Sequence, residues 1–206
     1  MSTLLVIDSA ATGEASVSRT LVREAVAALK TQGAAEVVYR DLDAAPIPHL
    51  TRSIVAGIRG VPASEREQDA RALSDALIAE LRAADTIVIG APMYNFSVPT
   101  TLRAWFDHVL RAGETFRYTE RGPQGLLPGK RVIVVESRGG LYSEGAAAAY
   151  DFQEPYLRHL LGFMGLTDVT FVRAEKLGFG PEARDAAIAA AIASLKATAG
   201  AFARAA

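Results

Sequence analysis

The chain has 206 residues, 50% of them hydrophobic and 22% charged, with a formal net charge of −1. That length predicts a single domain over residues 1–206 with a sizeable core, and the near-neutral charge leaves no electrostatic footprint for nucleic acid. Because the chain has no cysteine, disulfides, thiolate zinc sites, iron–sulfur clusters and thiol catalysis are excluded together, so any redox chemistry must come from a bound cofactor.

The first predicted element is the apolar run Thr3–Ile7. No basic n-region precedes it, so neither a signal peptide nor a membrane span is expected there, and a cytoplasmic protein is. A helix follows, with Leu21, Val22, Ala25, Val26 and Leu29 at the helical period and Gly33 at its stop. Glu36–Leu42 is half polar and suits a sheet edge, and the proline-bearing AAPIPHL that follows predicts an extended loop. The SERE stretch, Ser64–Glu67, reads as a capping box opening a helix through Leu73, Leu77, Ile78 and Leu81.

The third strand is Thr86–Ala91, followed by a helix from about Pro99 to Ala112, with the proline suited to a first turn. After Gly113, ETFRYTERGPQGLLPG alternates and carries turn residues, which predicts a short hairpin. Arg131–Glu136 and Asp168–Val172 read as the fourth and fifth strands, with a helix over Gln153–Met164 between them. An alanine-rich helix from about Pro181 closes the chain.

Strands separated by crossovers predict a three-layer, doubly wound α/β fold: a five-stranded parallel sheet with helices on both faces. Such folds bind ligands at the carboxyl ends of their strands, where the winding reverses. Three loops at those ends have unusual contents. After the first strand, Asp8–Ser18 offers Ser9, Ser16 and Ser18 before a helix, suited either to phosphate binding or to capping that helix. After the third come Met93, Tyr94, Asn95 and Phe96, large flat and amide-bearing side chains where a turn is expected. They suit a planar heteroaromatic ring with a polar edge, or packing against the next helix. After the fourth, Ser137 and Arg138 add polar groups, and Gly139 and Gly140 either allow close backbone approach or form a plain turn.

No G-x-G-x-x-G follows the first strand, and GLLPGKR lacks the Walker A spacing. A phosphate and a planar ring without a dinucleotide fingerprint point to FMN. The stretches APMYNFSVPTTLRAWFDHVLRAGETFRYTERGPQGL and GKRVIVVESRGG, with SVS before the first helix and RDLDAAPIP after the second strand, resemble the FMN-dependent NADH azoreductases, or azoreductase-type NADH:quinone oxidoreductases. The resemblance covers about Leu4 to Gly180. It implies a flavodoxin-like homodimer with non-covalent FMN, NADH as donor, and quinones or azo compounds as acceptors.

By that resemblance Ser9, Ser16, Val17 and Ser18 hold the phosphate and ribityl end. Met93, Tyr94, Asn95 and Phe96 line the isoalloxazine, and Ser137, Arg138, Gly139 and Gly140 border its pyrimidine edge. Two positions depart from it: Ala10 stands where a serine is common, and Val17 where glutamine is frequent. The implied reaction is ping-pong, and since the cofactor carries the hard chemistry no catalytic side chain is assigned. His49, His108 and His159 show no metal or triad spacing. Phe116 and Tyr118 are candidates to wall the substrate, the alternative being a hairpin packed on its own subunit, and Arg59 is a candidate for an anionic group. Competing readings are a single-electron flavodoxin module, a flavin-free binding domain, and an NADPH-preferring quinone or nitro reductase.

Overall fold

The computed structural model describes residues 2–204. Its central sheet is built from β1 (Ser2–Asp8), β2 (Ala34–Asp41), β3 (Thr86–Pro92), β6 (Arg131–Ser137) and β7 (Asp168–Ala174), all parallel, in the order β2-β1-β3-β6-β7. The winding therefore reverses between β1 and β3. The inner strands β1, β3 and β6 are mostly apolar because alternate side chains enter two different cores, whereas the edge strands β2 and β7 carry polar residues. Leu5, Ile7, Ile87, Ile89, Val132 and Val134 face one side, and Leu4, Val6, Val88, Ile133, Val135 and Val172 the other.

The first side is covered by α3 (Glu65–Ala83), α4 (Thr100–Val109) and α5 (Glu154–Phe163), which bring Leu77, Leu81, Trp105, Phe106 and Leu161. The second is covered by α1 (Val17–Thr31) and α6 (Pro181–Arg204). By length and composition α6 could cross a bilayer; here its stripe of Ala191, Leu195 and Ala199 is buried with Leu21, Ala25 and Leu29 of α1, so the helix forms a layer of the fold.

Several element boundaries are set by local chemistry. Gly33, at φ +98°, ends α1 and leads directly into β2, two residues earlier than the polar pattern predicts. The Ser64 hydroxyl accepts the Glu67 N–H at 3.4 Å and the Glu67 carboxylate accepts the Ser64 N–H at 3.0 Å, a complete capping box. α4 stops at Val109, short of the expected Ala112, because the Thr115 hydroxyl takes the Val109 carbonyl at 2.6 Å. A short helix, α2 (Val55–Arg59), is too brief for a sequence period to register. The hairpin is β4 (Phe116–Thr119) and β5 (Gly122–Gly125).

Candidate functional site

The loops after β1, β3 and β6 lie side by side at the carboxyl edge and are tied together by hydrogen bonds. Met93 N–H donates to the Ser137 carbonyl at 2.9 Å, extending the β3–β6 pairing by one residue. Ala11 N–H donates to the Tyr94 hydroxyl at 3.1 Å, so Tyr94 is a strut from the loop after β3 to the loop after β1. Thr101, in the first turn of α4, reaches the Ser9 carbonyl at 3.5 Å.

Reciprocal bonds between Tyr94 and Ser97, at 3.0 and 3.1 Å, close a tight turn whose central residues Asn95 and Phe96 have φ of +48° and +68°. Asparagine visits that region at low cost, whereas a phenylalanine there is strained by about 1–2 kcal/mol. The strain leaves the Phe96 ring half exposed, edge-on to Tyr142 with centroids 5.9 Å apart and tilted against Tyr150 at 6.3 Å. Large side chains thus occupy this turn as projecting rings and a strut.

In the first loop, Ser16 caps α1, its hydroxyl accepting the Arg19 N–H at 3.3 Å and lying 3.0 Å from the Ser18 hydroxyl. The N–H groups of Val17 and Ser18, which a helix leaves unpaired, have no partner among the described residues. Two of the expected ligand residues make contacts within the chain. The Ser9 hydroxyl donates to the Gly90 carbonyl at 2.6 Å, and the fully buried Arg138 guanidinium is turned inward among carboxylates. Ala10 is buried too, with its carbonyl held by Arg19 at 3.3 Å.

In the third of these loops the Gly139 carbonyl accepts the Gly178 N–H at 2.9 Å and the Gly140 carbonyl the Lys176 N–H at 2.8 Å. Carbonyls point inward, and the N–H groups of Gly139 and Gly140 have no partner among the described residues. A Cβ built on Gly139 meets nothing within 4 Å, so open space lies before it.

Two ionic clusters lie beneath the edge. Arg19 grips Asp41 with two bonds of 2.6 and 2.7 Å, and Asp41 also accepts the N–H groups of Asp43 and Ala44. The bond from Arg19 is the main reason the Asp41 carboxyl falls to about 2. Beside it, burial raises the Asp8 carboxyl, against the opposing bond from the Tyr39 hydroxyl. Under the third loop, Glu136 is fully buried, and burial pushes its carboxyl up to about 8 despite Arg138 at 2.8 Å.

The Asp41 shift has a fixed sign. A carboxyl depressed in the folded state stabilises it fully above the unfolded value of 3.8 and loses that contribution as pH falls toward 2. Asp41→Asn is accordingly expected to be less stable than wild type at pH 6 by about 1–2 kcal/mol. Urea midpoints measured between pH 6 and 2 should converge as the acid limit is approached, and parallel curves would refute the assignment.

The remaining candidates lie elsewhere. Phe116 is largely buried against Phe163, ring centroids 4.6 Å apart, and packs on its own subunit. Tyr118, 73% exposed, and Arg59 line a cavity of about 330 Å³ that shares no residue with the three loops. His108 is buried in α4 with Nε2 2.9 Å from the Pro48 carbonyl, a structural contact that fixes the neutral Nε2–H form, and burial lowers its pKa. Sequence reasoning missed Arg19, Gln153 and Glu175, whose partners are distant in the chain. The one available signal was Glu136, an acid inside the apolar run RVIVVES.

Comparison with known proteins agrees with this geometry. Residues 2–199 match a family model described as a flavodoxin-like fold. An FMN-dependent NADH:quinone oxidoreductase of Hyphomonas neptunium is 66% identical over 192 residues, covering 93% of this chain and 92% of that protein. One from Azospirillum brasilense is 53% identical over 195 residues, covering 91% and 93%. The crystal structure of an azoreductase from Bacillus anthracis superposes with a TM-score of 0.88 at 30% identity, over 97% of this chain and 99% of that one. This chain belongs to the FMN-dependent NADH:quinone oxidoreductases of the flavodoxin-like fold.

Proposed function

We propose that the chain, acting as one flavodoxin-like domain, binds FMN non-covalently and carries hydride from NADH to quinones and aromatic azo compounds in a ping-pong reaction. The observation that carries this reading is the pairing of two sets of unpartnered N–H donors, at Val17–Ser18 and Gly139–Gly140, across loops that are bonded to one another. The first set, at a helix start with the Ser16 and Ser18 hydroxyls, fits a phosphate. The second, with open space before Gly139, fits the acceptor-bearing edge of a flavin ring.

Bound FMN supplies hydride acceptance and donation. The chain's own residues bind and orient it. Tyr94 fixes the distance between the phosphate loop and the ring loop, Met93 and Ser137 join the two ring loops, and the Phe96 ring offers a flat apolar surface for the isoalloxazine or for substrates stacked on it. No side chain is assigned as acid or base, and the product's proton is taken from water.

A homodimer in the cytoplasm, where NADH is available, completes the reading, with exposed Tyr118 on the hairpin facing a substrate site. The test is steady-state kinetics of FMN-loaded protein with NADH and NADPH against a quinone and an azo compound, alongside sedimentation. Parallel double-reciprocal lines and a two-chain mass are expected. Intersecting lines overturn ping-pong, a one-chain mass overturns the dimer, and a colourless protein that takes up no FMN overturns the cofactor.

A further inference from the structure

Arg138 is a fully buried charge, tolerated only where its donors are satisfied. Nε donates to the Gln153 amide oxygen at 3.1 Å. Nη1 faces Asp151 at 3.0 Å and Glu175 at 3.3 Å, and Nη2 donates to Glu136 at 2.8 Å with Glu154 at 3.8 Å.

Those partners lead onward to the two ring loops. The Gln153 amide donates to the Ala91 carbonyl at 2.9 Å, immediately before Pro92 and Met93. Its neighbour Phe152 donates its N–H to the Phe96 carbonyl at 3.1 Å. Glu175 accepts the N–H groups of Tyr142 at 2.8 Å and Ser143 at 3.1 Å, together with the Ser143 hydroxyl. The Arg138 backbone is held as well, its N–H on the Ala174 carbonyl at 2.9 Å and its carbonyl on the Leu177 N–H at 3.2 Å. One guanidinium is therefore linked through Gln153 to Ala91, just before the Met93–Phe96 loop, and through Glu175 to Tyr142 and Ser143.

We propose that Arg138 is a positioning residue. Its planar fork holds the Met93–Phe96 and Gly139–Ser143 loops in register, so that the free N–H groups of Gly139 and Gly140 meet the carbonyl-bearing edge of the flavin. This inference rests on the FMN reading above.

The charges around Arg138 argue for geometry over field. Glu136 comes from β6, Asp151 from the loop, Glu154 from α5 and Glu175 from beyond β7, while Arg173 of β7 and Arg158 of α5 grip Glu154 at 2.6 and 2.7 Å. Burial raises the Glu136 carboxyl, and the acids Asp151, Glu154 and Glu175 face the bases Arg138, Arg158 and Arg173. Charges matched so closely within the cluster place little net potential on the ring, which leaves the rigid fork as the functional element.

Negative charge grows on the flavin's carbonyl-bearing edge on reduction, so donors aimed there hold the reduced form more tightly than the oxidised one. Arg138→Lys keeps the charge and loses the fork. Glu175→Ala releases Tyr142 and Ser143 and leaves Glu136, Asp151 and Gln153 around Arg138, which gives a second variant if Arg138→Lys does not fold. The FMN dissociation constant and the two-electron midpoint potential are measured for wild type and both variants.

Oxidised FMN is expected to bind about tenfold more weakly to each variant and reduced FMN about a hundredfold, so the potential falls by about 30 mV. A lowered melting temperature with unchanged potential and affinity makes Arg138 structural only and overturns the proposal, as do folded variants indistinguishable from wild type. A wild-type protein that takes up no FMN overturns the underlying reading and the proposal together.

Discussion

Gly139→Val is expected to fold with wild-type thermal stability and to bind FMN at least about a hundredfold more weakly, a loss of about 2.7 kcal/mol. Nothing in the chain opposes the substitution. The Gly139 backbone does not lie in the left-handed region, a Cβ there has no neighbour within 4 Å, and the Gly139 carbonyl keeps its bond from Gly178. The open space before it is where the flavin edge is proposed to lie, so a branched side chain blocks the ring and screens the Gly139 and Gly140 N–H groups. Calorimetry and an FMN fluorescence titration check the two halves separately. A valine variant with wild-type FMN affinity removes Gly139 from the site.

The inner strands were legible because burial on both faces makes them mostly apolar, and their carboxyl ends then locate the candidate loops. Strand order was not, since Leu4 pairs with Thr86 and Val37 through register that no local pattern encodes. The three loops were found by their odd contents, yet the direction of individual side chains was missed. Ser9 turns to Gly90 and Tyr94 to Ala11, contacts more than 80 residues apart in sequence that exist only after β1 and β3 pair. Arg138 looked like a ligand contact because it follows a strand. It is drawn inward by Glu136, two residues earlier at the end of β6 and 0% exposed, which cannot stay buried without a cation or a proton.

Gly125→Ala is expected to have the opposite effect, costing about 3 kcal/mol of stability, which for a chain of this size lowers the melting temperature by about 6–12 °C. Gly125 lies in β5 where the hairpin crosses the end of α5, and a Cβ there would stand 2.0 Å from the Gly165 nitrogen and 2.3 Å from the Met164 carbonyl carbon. Those are backbone atoms and cannot rotate aside. The Leu127 N–H is bonded to the Met164 carbonyl at 2.9 Å and the Phe116 ring packs on Phe163, so relief requires the hairpin to lift and expose both contacts. No residue of this crossing belongs to the three loops at the strand ends. FMN affinity of the folded protein should therefore be unchanged, whereas Gly139→Val should weaken it without touching the melting curve. A wild-type melting temperature for Gly125→Ala would overturn the close packing of hairpin on helix.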